Sequence, residues 1–377
     1  MLILYIGAIF IYILVLGILA SKWPRKSLRI HSGGSGHKQT VVIPFRDELY
    51  NLPTLIDSLE ENEPAEVLFV NDRSTDSGDL FLQNEIERRS LTDWRVIDSH
   101  GIGKKDAVEL GVAQAKHDVV LVTDADCILP KHWVKYMTAR FEFQNVKMVC
   151  GPVLPTMGFG WLGKFELGEW ASILLVTNFG FAVKKPLMCS AANMGYKKEA
   201  FLEVGGYEDN KDILSGDDEF LLKKIERNWG SESILWDPSL DLLVKTKAEA
   251  SWESLLVQRA RWASKWSVNK NWVDKLPPMI MTVFSILFLF SFSLLFPLNE
   301  NSRYFFVIWI FKGLADCYYL GKGLNHYLPQ FPKSTLLIAS AIHPVYTLLI
   351  VWKVLFTTLY WKGRAVFPTL KDEKQHV

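Results

Sequence analysis

The chain has 377 residues, which exceeds a typical single domain and favours a soluble domain joined to something else. Its 42 Lys and Arg nearly balance its 41 Asp and Glu, so its charge gives no case for general nucleic-acid binding. The four cysteines (Cys127, Cys150, Cys189 and Cys317) show no CxxC spacing, which argues against a zinc site or a disulfide framework.

The first apolar segment, residues 2–20, carries no charge and has about the twenty residues that a helix needs to cross a bilayer. A cleavable signal peptide is the competing interpretation, but the segment lacks a positive start and is too long for a signal-peptide core. Basic residues follow it and indicate that the chain continues on the cytoplasmic side; they are Lys22, Arg25, Lys26 and Arg29. We therefore predict a retained transmembrane anchor over residues 1–21, with its amino terminus outside, and a basic, flexible linker over residues 22–39.

Residues 40–245 have the pattern of a soluble α/β domain. Four short, β-branched segments are predicted to be strands: TVVIPF at 40–45, EVLFVND at 66–72, WRVIDS at 94–99 and DVVLVTDAD at 118–126. Three segments with apolar residues at three- and four-residue spacing are predicted to be helices: ELYNLPTLIDSLEE at 48–61, GDLFLQNEIERRS at 78–90 and KKDAVELGVAQA at 104–115. This alternation predicts a mostly parallel sheet.

Residues 246–276 are predicted to be an interfacial helix region. Within it, Gln258, Arg261 and Trp262 have the three- and four-residue spacing that places side chains on one side of a helix. The alternative is an amphipathic helix that simply lies on the membrane, where Trp and Arg are favoured anyway.

Residues 277–362 are predicted to be a carboxyl-terminal transmembrane region of two or three helices, followed by a tail over 363–377. The candidate segments are 277–298, 304–321 and 335–360. Lys312 and Asp316 interrupt the second segment, but they are four residues apart and could pair on one helix face. Three full crossings would leave the basic sequence WKGR (361–364) outside, against the positive-inside rule. We therefore expect one segment to be re-entrant or interfacial.

Acidic residues follow the predicted strands at the edge where open α/β sheets bind their ligands. Asp72 is the first acid after the second strand, and a carboxylate there can accept the imide N–H of a uracil. Asp124 and Asp126 end the fourth strand, where alternation would put both side chains on one side. Together they could bind one Mg²⁺ or Mn²⁺, with diphosphate oxygens completing its shell.

Two further segments bring charge to this edge. Lys104 begins a predicted helix beside Gly103, and such a helix start favours a phosphate; the alternative is a solvated basic helix start. Asp217 and Asp218 also lie at a helix start, where either could serve only as a cap. The functional interpretation makes Asp218 the general base that takes the proton of an acceptor hydroxyl.

These motifs, in this order, resemble those of the membrane-bound inverting family 2 glycosyltransferases. They are VVIPFRDE (41–48), VNDRSTD (70–76), GKKDA (103–107), TDAD (123–126), SGDDEFLL (215–222) and QRARW (258–262). That family includes cellulose, hyaluronan and poly-N-acetylglucosamine synthases, ceramide glucosyltransferases and bacterial enzymes that glycosylate carotenoid-like lipids. The resemblance covers about residues 40–265. It implies the GT-A (nucleotide-diphospho-sugar transferase) fold, a Rossmann-like mixed α/β sheet, flanked here by amino- and carboxyl-terminal transmembrane helices.

The resemblance also implies roles for single residues. The residues that would bind the nucleotide-sugar are Pro44, Glu48, Asp72, Lys104 and Asp124. The metal would be held by Asp126 together with Asp124, and Asp218 would be the catalytic base. The residues on the acceptor and diphosphate side would be Asp217, Gln258, Arg261 and Trp262. In the segment 188–201, Ser190 and Ala191 stand where the polymer synthases have a glycine pattern, which argues against a polymer-type acceptor site.

The implied enzyme is an integral protein of a bacterial inner membrane with a cytoplasmic catalytic domain. It would move a sugar from a UDP-sugar in a single inverting displacement with Mg²⁺ or Mn²⁺. Because a polymer synthase needs a lined channel, the small carboxyl-terminal membrane region favours a lipid or lipid-linked acceptor hydroxyl. One alternative is a processive polysaccharide synthase of the hyaluronan or poly-N-acetylglucosamine type. Another is an inactive membrane scaffold, which would be expected to have lost the base or the DxD motif; both are present.

Overall fold

The computed structural model describes residues 1–24, 37–158, 160–211, 213, 215–268, 272–296, 298 and 300–367, with the backbone alone at 266–268, 272–274 and 366–367. The chain divides into two compact units. The sheet unit comprises Arg25–Thr156 and Gly180–Lys247, and the helical unit comprises Met1–Pro24, Met157–Phe179 and Ala248–Val377. Most of the predicted linker, with its basic residues 25, 26 and 29, lies outside the described residues, as do residues 368–377 of the predicted tail.

The α-helices and strands have the following bounds. The α-helices are α1 (Leu2–Ser21), α2 (Leu52–Glu60), α3 (Gly78–Arg88), α4 (Lys104–Gln114), α5 (Trp133–Ala139), α6 (Gly160–Ala182), α7 (Lys198–Glu203), α8 (Asp217–Trp229), α9 (Trp252–Val268), α10 (Trp272–Phe290), α11 (Ser302–Tyr327) and α12 (Thr335–Phe356). The strands are β1 (Gln39–Phe45), β2 (Glu66–Asn71), β3 (Trp94–Asp98), β4 (Val119–Val122), β5 (Met148–Cys150), β6 (Val153–Pro155), β7 (Met194–Lys197), β8 (Ile234–Trp236), β9 (Val244–Thr246), β10 (Leu359–Trp361) and β11 (Arg364–Phe367).

The sheet unit is built on a seven-stranded mixed sheet with the order β3-β2-β1-β4-β7-β5-β8. The pairs β1–β2, β2–β3 and β1–β4 are parallel, whereas β7 runs antiparallel to both β4 and β5. Pro44 pairs with β2 but lies two residues beyond Val42, where the ladder between β1 and β4 ends. A proline is therefore tolerated in this central strand, because its missing N–H costs no bond to β4.

The predicted strands and helices of residues 40–122 are confirmed, and so is the mixed α/β fold class. The bounds of strands β1 to β4 and helices α2 to α4 agree with the predicted segments to within two residues, with two exceptions. Helix α2 begins at Leu52, later than the predicted residue 48, and strand β4 ends at Val122, earlier than the predicted residue 126. Helix α4 packs closely on the sheet, since a Cβ on Gly111 would lie 2.4 Å from Val42 Cγ1. The strands from β5 onward were not predicted. They have three or four residues each, too few to show a periodic pattern.

Within the described residues, three helices of the helical unit are long and apolar enough to cross a membrane. They are Leu2–Ser21, Lys275–Leu295 and Thr335–Phe356, which match the predicted segments 2–20, 277–298 and 335–360. The weaker candidate, 304–321, forms part of α11 but is not among the three. The sequence WKGR lies in the antiparallel hairpin of β10 and β11, and Trp361 of this hairpin lies under the Arg261 guanidinium at 5.8 Å from the ring centroid.

The predicted pairing of Lys312 with Asp316 is confirmed. Lys312 Nζ lies 2.9 Å from Asp316 Oδ2 and also donates to the carbonyl and hydroxyl oxygens of Ser340, each at 2.9 Å. The Tyr12 hydroxyl donates to the second oxygen of Asp316 at 2.6 Å. A buried ion pair is costly unless further hydrogen bonds satisfy both groups. Here they come from α1 and α12, so the pair ties α11 to two neighbouring helices.

Residues 157–179 group with the helical unit, although the sequence placed them inside the domain 40–245. The reason lies in α6, whose side chains contact α9 and α12. Phe165 packs on Trp252 and Tyr346 with ring centroids 5.0 and 4.8 Å away, and Glu169 accepts a hydrogen bond from Tyr346 at 3.0 Å. The sequence of α6 has no strong charge pattern that distinguishes it from the segments before and after it, so its grouping with α9 and α12 could not be predicted.

The sheet unit also contains a buried ion pair between Arg140 and Asp237. Both Arg140 Nε and Nη2 donate to Asp237 Oδ2, at 3.0 and 2.6 Å, and both side chains are almost fully buried. The other oxygen of Asp237 accepts the backbone N–H of Ser239 at 3.0 Å. Removing one partner of such a pair leaves an uncompensated charge in the interior.

We expect Arg140→Met to lower the free energy of unfolding by about 3–5 kcal/mol, because Asp237 would be left buried without its cation. Lys184→Met is the matched control, since Lys184 pairs with Glu232 at 2.5 Å on the surface. That pair is more than two-thirds exposed, so we expect a change within about 0.5 kcal/mol. Denaturant unfolding of the purified full chain in detergent measures both. Equal midpoints for the two variants would contradict the prediction.

Candidate active site

The loops that follow β1 and β2 are fastened to each other and form one rim of the sheet. Arg46 Nη1 donates to the backbone oxygens of Asp72 and Arg73, at 2.9 and 3.0 Å. Asp47 Oδ1 accepts the backbone N–H of Thr75 at 2.6 Å. Because Pro44 is the penultimate residue of β1 and Glu48 follows in this loop, both predicted nucleotide-binding residues belong to the same rim as Asp72.

Asp72 is almost fully buried and faces the start of α4. Its Oδ1 accepts the backbone N–H of Gly103 at 3.1 Å. Gly103 has a φ of +97°, which favours glycine at this helix start. Asp76, a few residues on, has a local structural role instead: it accepts the backbone N–H groups of Gly78 and Leu49. Asp76 therefore stabilises the turn, and Asp72 is the acid that reaches α4.

Lys104 joins two of the predicted acidic motifs. Its Nζ lies 2.5 Å from Asp124 Oδ1 and 3.1 Å from Asp217 Oδ2. Burial alone would lower the pKa of Lys104, but Asp124, Asp217 and Asp218 outweigh it and raise the pKa well above its ordinary value. Lys104 is therefore a permanently charged group at the carboxylate cluster, and it is not the solvated helix start of the alternative interpretation.

The DxD motif does not lie in an extended strand, so the prediction that alternation aligns its two side chains is wrong. Strand β4 ends at Val122, and the Cys127 N–H donates to the Asp124 carbonyl at 3.2 Å, which closes a turn. The turn leaves the two carboxylates close enough to interact. Burial first, then the charges of Asp124 and Glu48, raise the pKa of Asp126 to about 6.

Asp126 is also held from a distant part of the chain. Thr246, at the end of β9, donates its hydroxyl to Asp126 Oδ2 at 3.2 Å. The loop after the DxD motif reaches β9 through a bridge between Ile128 and Lys245. Thr246 was not predicted from the sequence. Its contact with Asp126 depends on the fold, and its neighbours in sequence give no sign of it.

Asp217 and Asp218 begin α8, after Gly216 with a φ of +81°. Burial alone would raise the pKa of Asp217, but Lys104 outweighs it and holds the pKa below its ordinary value. Asp218 is partly exposed, and its Oδ1 accepts the N–H of Glu219 at 2.7 Å. The N–H of Glu219 at the helix start therefore helps to hold the Asp218 carboxylate, while the Asp217 carboxylate pairs with Lys104.

The segment 188–201 supplies a structural anchor. Asn193 is fully buried, donates to the backbone oxygens of Pro152 and Leu242 at 2.8 and 2.6 Å, and accepts the indole N–H of Trp133 at 2.8 Å. Just before it, the Ala192 carbonyl accepts the hydroxyl of Thr123 at 2.9 Å. This segment is thus fixed to the end of β4, directly before the DxD motif.

Gln258, Arg261 and Trp262 belong to the helical unit, where α9 forms as predicted. Gln258 Nε2 donates to Glu249 Oε1 at 2.6 Å, and Trp262 packs edge-to-face on Trp170 with ring centroids 5.6 Å apart. The other predicted residues (Pro44, Glu48, Asp72, Lys104, Asp124, Asp126, Asp217 and Asp218) all belong to the sheet unit.

The charges of the sheet unit suit a phosphate-bearing ligand and a cation. Carboxylates from the turn after β4 and from the start of α8 contact Lys104, and the carboxylate that follows β2 accepts the N–H of the neighbouring Gly103. Among the described residues no group of three or more His, Cys, Asp or Glu could hold a metal ion by itself. Asp124 and Asp126 would therefore need oxygens from a ligand to complete a coordination shell.

Comparison with known proteins gives a family match for part of the chain. The model of glycosyl transferase family 2 matches residues 40–205. An undecaprenyl-phosphate 4-deoxy-4-formamido-L-arabinose transferase from Pseudomonas savastanoi pv. phaseolicola is 32% identical over 108 residues. That match covers 27% of this chain and 32% of the relative, so the chain spans about a third of the length of this curated relative.

A mannosyltransferase from Pyrobaculum calidifontis, solved with GDP-mannose and Mn²⁺, has a similar fold. Its TM-score is 0.57 at 16% sequence identity, and the match covers 93% of this chain and 96% of that one. At this identity the likeness concerns the fold alone, and it confirms the predicted GT-A architecture. The comparisons therefore give a match of residues 40–205 to glycosyl transferase family 2, in a chain whose fold is similar to that of this mannosyltransferase.

Proposed function

We propose that the enzyme transfers a sugar from a UDP-sugar to a lipid or lipid-linked acceptor at a membrane, with inversion at the anomeric carbon. The observation that carries the proposal is the contact of Lys104 with both Asp124 and Asp217, which gathers three motifs around one charged group. A lysine and a carboxylate pair are the groups needed to hold a nucleoside diphosphate and its counter-ion. The three membrane-length helices support an acceptor taken from the bilayer.

The donor-binding roles follow from this arrangement. Asp72, together with Pro44 and Glu48 of the same rim, would line the uridine pocket, where its carboxylate can accept an imide N–H. Lys104 would exchange part of its ion pairing with Asp124 for the diphosphate, since a compact ammonium is a mobile phosphate ligand. Neutralising the leaving diphosphate lowers the barrier by electrostatic stabilisation.

The residues present fit a divalent cation. Asp126, with a pKa raised to about 6 by burial and by the charges of Asp124 and Glu48, is a site of excess negative charge that a cation would relieve. Asp126 and Asp124 would hold Mn²⁺ or Mg²⁺, because their carboxylate oxygens are the donors these ions prefer. Such an ion would supply charge neutralisation at the leaving diphosphate.

The acceptor side involves Asp218. We propose that Asp218 takes the proton of an acceptor hydroxyl, which then attacks the anomeric carbon on the face opposite the leaving UDP. Its partly exposed position and its hydrogen bond from the Glu219 N–H support this role. Gln258, Arg261 and Trp262 would contribute on the acceptor and diphosphate side.

A lipid phosphate is the second candidate acceptor, favoured by the name of the undecaprenyl-phosphate relative. The two candidates differ in chemistry. A hydroxyl must lose a proton during the attack, whereas a phosphate, with its second pKa near ~6, is already ionised at neutral pH. A general base is therefore needed for the first acceptor and not for the second.

The overall proposal is tested with the purified, reconstituted full chain, radiolabelled UDP-sugars and GDP-sugars, and Mn²⁺ or Mg²⁺. Acceptors are a lipid with a free hydroxyl and a lipid phosphate. We expect label from a UDP-sugar in the lipid extract. Label in high-mass polymer would point to a processive synthase, use of GDP-sugars alone would overturn the donor assignment, and no transfer at all would favour an inactive scaffold.

We expect Asp218→Asn to reduce transfer to a hydroxyl acceptor by about 10²–10⁴-fold, because the amide cannot accept the proton. Transfer to a lipid phosphate should stay close to normal, and UDP-sugar binding should be unchanged in both cases. Asp209→Asn is the control, since Asp209 pairs with Lys224 at 3.2 Å at the surface. Near-normal transfer by Asp218→Asn to the hydroxyl acceptor would remove Asp218 from the base role.

We expect Asp126→Ala to abolish the effect of metal on donor binding. In the wild type, calorimetry should show tighter UDP-sugar binding with Mn²⁺ than with a chelator, because the ion offsets the repulsion between carboxylates and diphosphate. The variant should give the same affinity under both conditions. Asp93→Ala, at an exposed carboxylate 3.8 Å from Lys116, should behave as the wild type. If the wild type bound the UDP-sugar with the same affinity in Mn²⁺ and in a chelator, this result would contradict the metal site.

A further inference from the structure

Arg259 lies in the middle of the QRARW sequence but has no part in the proposed chemistry. The residue is only 6% exposed, although a guanidinium is always charged. Its neighbours Gln258, Arg261 and Trp262 are the residues to which the family resemblance assigns roles. A buried cation beside three such residues needs a physical reason, because burying a charge is costly unless it is paired.

The guanidinium of Arg259 contacts two aromatic rings. Its central carbon lies 4.3 Å from the centroid of the Trp262 ring and 5.6 Å from that of Trp170. The two indoles are themselves packed edge-to-face, 5.6 Å apart at an interplanar angle of 86°. A cation over a Trp face is attracted by the ring quadrupole, most strongly when both are desolvated. Arg259 therefore fixes the plane of Trp262 between itself and Trp170.

Two carboxylates of α6 compensate the charge. Arg259 Nε lies 3.3 Å from Glu169 Oε2, and Arg259 Nη2 lies 3.8 Å from Glu166 Oε1. The Tyr346 hydroxyl of α12 donates to the same oxygen of Glu169 at 3.0 Å. Contacts with α6, and through Glu169 with α12, therefore help to set the position of the guanidinium.

Arg259 also fixes the amide of Gln258. Arg259 Nη1 donates to Gln258 Oε1, while Gln258 Nε2 donates to Glu249 Oε1 at 2.6 Å. Glu249 is held in turn, since its backbone N–H donates to Glu166 Oε2 at 3.1 Å. The amide oxygen and nitrogen of Gln258 therefore each have a defined partner, and the side chain has one orientation.

We propose that Arg259 is a positioning residue that holds the Trp262 ring and the Gln258 amide in the orientation needed for acceptor binding. The inference rests on the proposed function in one respect, the assignment of Trp262 to the acceptor side. The physical argument is that an indole freed from its cation would sample other rotamers, and each would cost acceptor affinity through lost preorganisation.

The test compares Arg259→Met and Arg259→Lys with the wild type, each also in a Trp262→Phe background. Methionine keeps most of the length and removes the charge, whereas lysine keeps the ion pair with Glu169 and loses the planar stacking. We expect Arg259→Met to raise the acceptor KM about tenfold, with the donor affinity unchanged, because a desolvated cation–π contact is lost. Lysine should recover only part of this. In the Trp262→Phe background the added effect should fall below about twofold, since coupled residues are not additive.

A second readout does not depend on transfer. The coupled Trp170–Trp262 pair should contribute an exciton band to the circular dichroism spectrum, obtained as the difference between wild type and Trp262→Phe. We expect Arg259→Met and, to a smaller extent, Arg259→Lys to reduce this band in the folded protein. Arg303→Met is the matched control, because Arg303 stacks on Tyr304 at 5.1 Å elsewhere in the helical unit.

The outcomes separate the inference from the proposed function. An unchanged exciton band in both Arg259 variants, or equal effects on the acceptor KM with and without Trp262, would overturn the positioning role. Absence of transfer by the wild type would overturn the proposed function, whereas a reduced band in Arg259→Met would still support the positioning of Trp262.

Discussion

The ion pairing of Lys104 is the constraint on which the active-site arrangement depends. A largely buried ammonium is stabilised by neighbouring carboxylates, and here they come from the turn after β4 and from the start of α8. Three segments that are distant in sequence must therefore take fixed positions for these two ion pairs to form. In the proposed function, the charges that hold this cluster together are the ones that a nucleoside diphosphate and a cation would engage, so binding would exchange partners more than it would create a new charged cluster.

The balance of charge at this cluster explains why its carboxylates differ. Lys104 lowers the pKa of Asp217, whereas burial and its carboxylate neighbours raise the pKa of Asp126. Identical side chains thus acquire different properties from their surroundings. Asp217 pairs with the ammonium of Lys104, whereas Asp126 is suited to a metal cation. The different roles proposed for these two carboxylates therefore agree with the opposite directions of their pKa shifts.

Sequence analysis predicted the parts of the fold whose signal is local. The long β-branched runs of β1, β2 and β4 and the periodic helices between them were found, as were the membrane-length segments and the pairing of Lys312 with Asp316. The short strands such as β8 were not, because three residues cannot show a period. The alignment of Asp124 and Asp126 was assigned to the wrong cause, since the backbone there turns. Thr246 and Arg259 were missed for a different reason: their partners are reached only through the fold, and their own neighbours in sequence reveal nothing of them.

The reversed direction of β7 has a further consequence. Strand β7 pairs antiparallel with β4, with Met194 opposite Val122, so the residues that precede β7 lie at the same edge of the sheet as the residues that follow β4. In open α/β sheets the ligand-binding groups usually follow the strands, at their carboxyl ends. Here a segment that precedes a strand lies at that same edge. Asn193 and the carbonyl of Ala192 anchor that segment. The sheet unit thereby gains an extra loop at this edge without adding a strand, and the loop is held there by the contact of Thr123 with Ala192.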